Sequence, residues 1–292
     1  MNTKEKTENV FLELLDIIRT LRAPDGCPWD IEQTPYTMRE PLIEEAFEVI
    51  DAINESDVAH IQEELGDLLF NVLMISYMFE QAGRFSIADV LSETKNKIVR
   101  RHPHVFGKTE GFAGPKADGC AKNSEEVLMQ WYEIKQVVEQ RNKGGILSTV
   151  PKSFPPLLKA YKMQKKMSKV GFDFPTISEA RQKVSEELLE LDAELKTQNI
   201  ENISCKDKAL KSLPENAKEK IEGELGDVLF SLVNLARLLN INPELALNRT
   251  NTKFAIRVQY IEKKMQAENL ELSAENLKTM EKFWEESKKN KV

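Results

Sequence analysis

Apolar residues recur at helical spacing along most of the chain. Ile61, Leu65, Leu68, Leu69 and Val72 share one stripe, and Leu42, Ala46, Val49, Ile50 and Ile53 share another. A third runs through Val184, Leu188, Leu191 and Leu195. This is the i, i+3, i+4, i+7 pattern of amphipathic helices. Stripes this regular bury against one another, so the pattern predicts an all-α fold of helical bundles. Gly and Pro, 12 of each in 292 residues, fall below ordinary usage, which suits long helices and disfavours a β-sandwich or barrel.

The pattern also repeats. Glu64-Leu65-Gly66-Asp67-Leu68-Leu69-Phe70 returns as Glu224-Leu225-Gly226-Asp227-Val228-Leu229-Phe230. Upstream, Glu44-Glu45-x-x-Glu48 returns as Glu186-Glu187-x-x-Glu190; downstream, Lys97 and Arg101 return as Lys253 and Arg257, and Trp131-x-Glu-x-Lys returns as Trp284-x-Glu-x-Lys. The order is the same both times, so the chain is a tandem duplication of two homologous helical-bundle units. The expected bounds are 1–142 for the first unit, 143–150 for a linker and 151–292 for the second. Asn142 to Gly145 ends one helical stretch, and Pro151, Pro155 and Pro156 delay the next. Gly107 to Gly119 reads as a loop. The second unit carries an insertion at 196–220, expected to be an exposed excursion, and a C-terminal helix.

Charge and composition remove several functions. The chain has 48 acidic and 41 basic residues, net −7, with no basic cluster, so direct nucleic-acid binding is not expected. The first ten residues are polar, which predicts no secretory signal, and no apolar run is long enough to span a membrane. Cys27, Cys120 and Cys205 form no CxxC pair, as expected for a reducing cytoplasm. Three histidines are too few for a di-iron bundle, and phosphate-cradling Gly-rich loops are lacking. Phosphate, if handled, must be met by side chains and metal.

Helical phase sorts the acids. At about 100° per residue, Glu45, Glu48, Glu64 and Asp67 flank the apolar stripes, whereas Glu44 and Glu63 point away. Glu187 and Glu190 repeat this in the second unit, with Glu186 facing solvent. Pairing the helices gathers four carboxylates per unit, and such a set needs a cation. All-oxygen ligation favours Mg²⁺, with Mn²⁺ as a substitute. Lys97/Arg101 and Lys253/Arg257 each present two cations on one helix face. Carboxylate-held metal beside Lys and Arg makes a site for a polyphosphate. Trp131 and Trp284 are open to two roles, stacking on a base or anchoring their helices. His102 and His104 read as structural, and Gly66 and Gly226 as points of close helix approach or as inheritance through the duplication.

These motifs together resemble the all-α nucleoside triphosphate pyrophosphohydrolases, and the MazG family in particular. Cys27-Pro28-Trp29-Asp30, Arg100-Arg101-His102-Pro103-His104-Val105-Phe106-Gly107 and Val170-Gly171-Phe172-Asp173 extend the resemblance over nearly the whole chain. The resemblance implies Mg²⁺-dependent homodimers that hydrolyse NTPs and dNTPs to the monophosphate and pyrophosphate. It implies metal ligands at Glu187, Glu190, Glu224 and Asp227, phosphate contacts at Lys253 and Arg257, and a base contact at Trp284. Catalysis is implied mainly in the second unit; the first has the matching Glu45, Glu48, Glu64, Asp67, Lys97 and Arg101. One departure is Lys95, which stands where the family commonly has Asn and the second unit has Asn251. The long 196–220 insertion is another. The competing readings are a non-catalytic nucleotide-sensing or partner-binding helical scaffold, and a phosphohydrolase acting on a different diphosphate bond.

Overall fold

A computed structural model describes residues 2–107, 123–137, 144–200 and 213–289. Most of the Gly107–Gly119 loop, Cys120, Cys205, the start of the linker and the middle of the 196–220 insertion lie outside the described residues. Every regular element among the described residues is helical, and the fold is all-α. The chain divides into two compact units, Met1–Glu139 and Gln140–Val292.

The first unit comprises α1 (Thr3–Leu21), α2 (Pro28–Glu32), α3 (Arg39–Glu55), α4 (Val58–Gln81), α5 (Ile87–Arg101), α6 (Pro103–Phe106) and α7 (Ser124–Val137). Helices α3 and α4 form a hairpin. Its turn is made by Ser56, in the left-handed region at φ 60°, and by Asp57, whose carboxylate accepts from the Ala59 and His60 amides. The core lies where α1 meets the later part of α4: Leu15, Ile18, Met38, Leu73, Met74, Met78 and Ile87 are buried together. Fully burying side chains of this size stabilises by about 1.5–3 kcal/mol each.

Two motifs of the sequence do local structural work. At Gly26 a Cβ would lie 2.4 Å from the Thr20 and Leu21 carbonyl oxygens, so only glycine admits this turn into Cys27-Pro28-Trp29-Asp30. Arg22 secures it by donating to the Asp30 and Gln33 carbonyls. In the second motif His104 Nδ1 lies 3.1 Å from Gln130 Oε1, and the His102 ring meets Trp131 edge-on at 4.9 Å. The histidines thus tie α5 and α6 to α7.

The second unit comprises α8 (Pro156–Ser168), α9 (Ile177–Thr197), α10 (Glu215–Leu238), α11 (Pro243–Ala267), a 3₁₀ turn (Ala274–Asn276) and α12 (Leu277–Lys289). Helices α9 and α10 repeat the α3–α4 pair, α8 packs along α10, and α12 closes on α11. The end of the 196–220 insertion is helical, because α10 already begins at Glu215.

The stripes are buried differently from the expectation. Leu65, Leu69, Val72 and Leu188 are exposed in the single chain. The face of α4 that meets its neighbours runs instead through Glu64, Asn71, Leu73 and Met74. Leu225 and Leu229 on α10, the counterparts of Leu65 and Leu69, are exposed as well. A hairpin of two helices covers only the side each turns to the other, so half of each broad apolar stripe stays open.

Candidate active site

The acids of the second unit sit where α9 and α10 run together. Glu187 is only 7% exposed, whereas Glu186 is exposed, as their helical phase requires. Glu190 lies one turn further along α9, and Glu224 reaches across from α10. Carboxylate oxygens of Glu187, Glu190 and Glu224 all fall within 4.8 Å of one another. The first unit reproduces this with Glu45, Glu48 and Glu64, again within 4.8 Å. Asp67 and Asp227 lie one turn beyond Glu64 and Glu224. Asp67 acts on the charge of Glu45, and Asp227 lines a cavity together with Glu187.

Such clusters oppose their own ionisation. Carboxylate charges this close repel one another. Desolvation first, and then the charges of Glu48, Asp67 and Glu64, push the Glu45 carboxyl up to about 7. Desolvation and Glu187 likewise raise Glu190. Several oxygens converging at this range, with mutual repulsion to relieve, fit a hard divalent cation such as Mg²⁺ or Mn²⁺.

The units differ in what stands beside the acids. Lys183 Nζ lies 2.7 Å from Glu186 and 2.8 Å from Glu187, and hydrogen bonds to both raise its pKa further above the lysine range. The corresponding position in the first unit, four residues before Glu45, is Pro41. There His60 Nε2 lies 2.9 Å from Glu64 instead. The sequence reading missed Lys183, although its i, i+4 spacing from Glu187 was visible.

A cavity of about 420 Å³ adjoins the second cluster, with Lys183, Glu187 and Asp227 in its wall. The rest of the wall is largely apolar and includes Met163, Met167, Phe172, Phe174 and Phe230. Gln164 also lines it and is 8% exposed. Its Nε2 donates to the Phe230 carbonyl at 2.9 Å, while its Oε1 has no hydrogen-bond partner. A buried acceptor left so costs about 1–3 kcal/mol. At another part of the wall Arg237 binds Asp173 with two nitrogens and donates to Asn234 Oδ1 at 2.8 Å. That ion pair fixes the Val170-Gly171-Phe172-Asp173 segment against α10.

The expected phosphate and base contacts form a separate group. Asn251 and Lys253 are exposed on α11. The Arg257 guanidinium lies over the Trp284 ring, 5.4 Å from its centroid, with Phe254 at 5.5 Å. Trp284 packs against Ile261, Met265 and Phe283. None of these lines the cavity. In the first unit Lys97 is half-buried on α5 and Lys95 is exposed.

Comparison with known proteins bears on this geometry. Residues 33–106 match the model of the MazG nucleotide pyrophosphohydrolase domain. The nucleoside triphosphate pyrophosphohydrolase of Escherichia coli K12 is 38% identical over 286 residues, 97% of this chain and 99% of that protein. The chain belongs to the MazG family. Thermotoga maritima has another such relative, the nucleoside triphosphate pyrophosphohydrolase/pyrophosphatase MazG, 33% identical over 96% of both chains. YabN of Bacillus subtilis is 39% identical over 95% of this chain and 51% of its own length. The MazG domain match takes in α3, α4 and α5, the helices that carry Glu45, Glu48, Glu64 and Asp67 in the first unit.

Proposed function

We propose that this MazG protein hydrolyses nucleoside and deoxynucleoside triphosphates to the monophosphate and pyrophosphate, with Mg²⁺ as cofactor and Mn²⁺ as a substitute. The observation that carries the reading is the carboxylate cluster, present twice at the same place in two homologous hairpins. Glu187, Glu190, Glu224 and Asp227 would hold the metal in the second unit, and Glu45, Glu48, Glu64 and Asp67 in the first. The bound ion supplies Lewis-acid stabilisation and a more acidic water. Lys183 holds Glu186 and Glu187 in register, and its ammonium stands in the cavity wall where phosphate charge would gather. Asn251, Lys253 and Arg257, with Lys97 and Arg101 in the first unit, are the proposed further phosphate contacts. Of the two roles open to Trp284, its packing on Phe283 and Met265 favours anchoring.

Turnover is assigned mainly to the second unit. It has Lys183 where the first has Pro41, and Asn251 where the first has Lys95. The first unit then serves as a dimerisation or regulatory module. Dimerisation is supported by the open stripes on α4 and α10. Rows of exposed leucines are the kind of surface that an interacting partner covers.

The test is incubation of the purified protein with a panel of NTPs and dNTPs, with Mg²⁺, Mn²⁺ or EDTA, followed by product identification. Pyrophosphate and the monophosphate, lost with EDTA, are expected. Release of the diphosphate and orthophosphate would mean another bond is cut. Nucleotide binding without turnover would favour the scaffold reading.

A further inference from the structure

Gln164 stands apart from the acids, the cations and the helix packing described so far. Its amide is held in one sense: the nitrogen is committed to the Phe230 carbonyl and the oxygen is left without a partner. It lines the same cavity as Glu187 and Asp227. The residues between these polar ends are aromatic and thioether side chains, suited to the two faces of a flat ring. A second amide, that of Asn234, is also held in one sense, because Arg237 occupies its oxygen. A volume of about 420 Å³ falls in the range of small-molecule sites.

We propose that this cavity is the nucleoside subsite of the second unit, and that Gln164 is its specificity-determining residue. The inference rests on the pyrophosphohydrolase reading. The phosphates lie toward Lys183 and the carboxylate cluster. The base enters among Phe172, Phe174 and Phe230, and an N–H on its edge donates to Gln164 Oε1. Phe172, 76% exposed at the rim, is a large aromatic left in solvent by the protein alone, and a base stacked on it removes that exposure. The Asp173–Arg237 pair holds this rim in place.

The experiment compares Gln164→Met, which keeps the length and removes the acceptor, with Phe172→Ala. For each variant KM and kcat are measured on a nucleoside triphosphate, together with the inhibition constant of inorganic tripolyphosphate, which has no base. In Gln164→Met, KM is expected to rise about tenfold, the factor that one lost hydrogen bond of ordinary strength produces. In Phe172→Ala it should rise several-fold. Tripolyphosphate inhibition should stay as in the parent protein, because the ligand end of the site is untouched. An unchanged KM in Phe172→Ala overturns the subsite, and so does a parallel loss of tripolyphosphate binding in both variants. An unchanged KM in Gln164→Met overturns the role of its oxygen. Phe172 is exposed, so its variant remains readable even if Gln164→Met fails to fold. If the parent protein turns over no triphosphate, the pyrophosphohydrolase reading fails and this subsite with it; turnover with unaltered variant KM values removes the subsite alone.

Discussion

Neutralising Glu187 and neutralising Glu186 should have different consequences, although both carboxylates bond to the same lysine. The two contacts to Lys183 are 2.8 and 2.7 Å, so loss of an ion pair alone predicts equal effects. What differs is position: Glu187 is buried in the cluster within 4.8 Å of Glu190 and Glu224, and Glu186 faces solvent. Glu186→Gln therefore costs no more than an exposed ion pair, about 0–1 kcal/mol, and kcat/KM should stay within about fivefold. Glu187→Gln removes a proposed metal ligand and should cost at least the roughly 10²-fold typical of an essential transition-state interaction. Stability should move the other way. Deleting one of three mutually repelling charges relieves the cluster, an effect offset by the lost bond to Lys183. In EDTA, Glu187→Gln should thus melt no lower than the parent, while the rise in Tm on adding Mg²⁺ should disappear. Steady-state kinetics and thermal melts with and without Mg²⁺ read both quantities. Equal activity losses in the two variants, or an intact Mg²⁺-induced rise in Glu187→Gln, would show that Glu187 holds no metal.

Three further outcomes are expected. Glu45 has its folded-state pKa raised from 4.5 to about 7, so the folded chain holds a proton there that the unfolded chain has released; in EDTA, stability should fall as pH rises through that window, and Glu45→Gln should flatten the slope measured by melting at pH 5 to 8. The double variant Glu64→Gln/Asp67→Asn should keep more than about half of kcat, while Glu224→Gln/Asp227→Asn should lose roughly 10²-fold or more; the reverse order would move catalysis to the first unit. If the open stripe of α4 is the proposed dimer contact, Leu65→Glu with Leu69→Glu should shift the protein toward monomer in light scattering at fixed concentration, and an unchanged mass would refute that contact.

The all-α fold was legible because period and repetition are local properties of a sequence. Helical phase separates Glu187 from Glu186, and the structure buries the first and exposes the second. Helical phase also centres the helix contacts on Leu65 and Leu69, which are exposed: a stripe says which residues avoid water, not which surface will cover them. The cavity could not be read at all. Its wall combines Met163 and Gln164 of α8, Phe172 and Phe174 of a loop, Lys183 of α9 and Asn234 of α10, residues that meet only after three helices have packed. Lys183 was hidden differently, among many lysines, until its distance to Glu187 singled it out.

The dimer contact proposed for the half-open rows on α4 and α10 would give the fold a concentration scale. If a second copy covers Leu65, Leu69, Leu225 and Leu229, part of the free energy holding each hairpin is supplied by association, and mass action then sets how much of it is present. Dilution would loosen the hairpins on which the carboxylates are mounted, and abundance would tighten them. Specific activity should accordingly depend on the amount of protein itself, falling at low concentration before any change in substrate or metal.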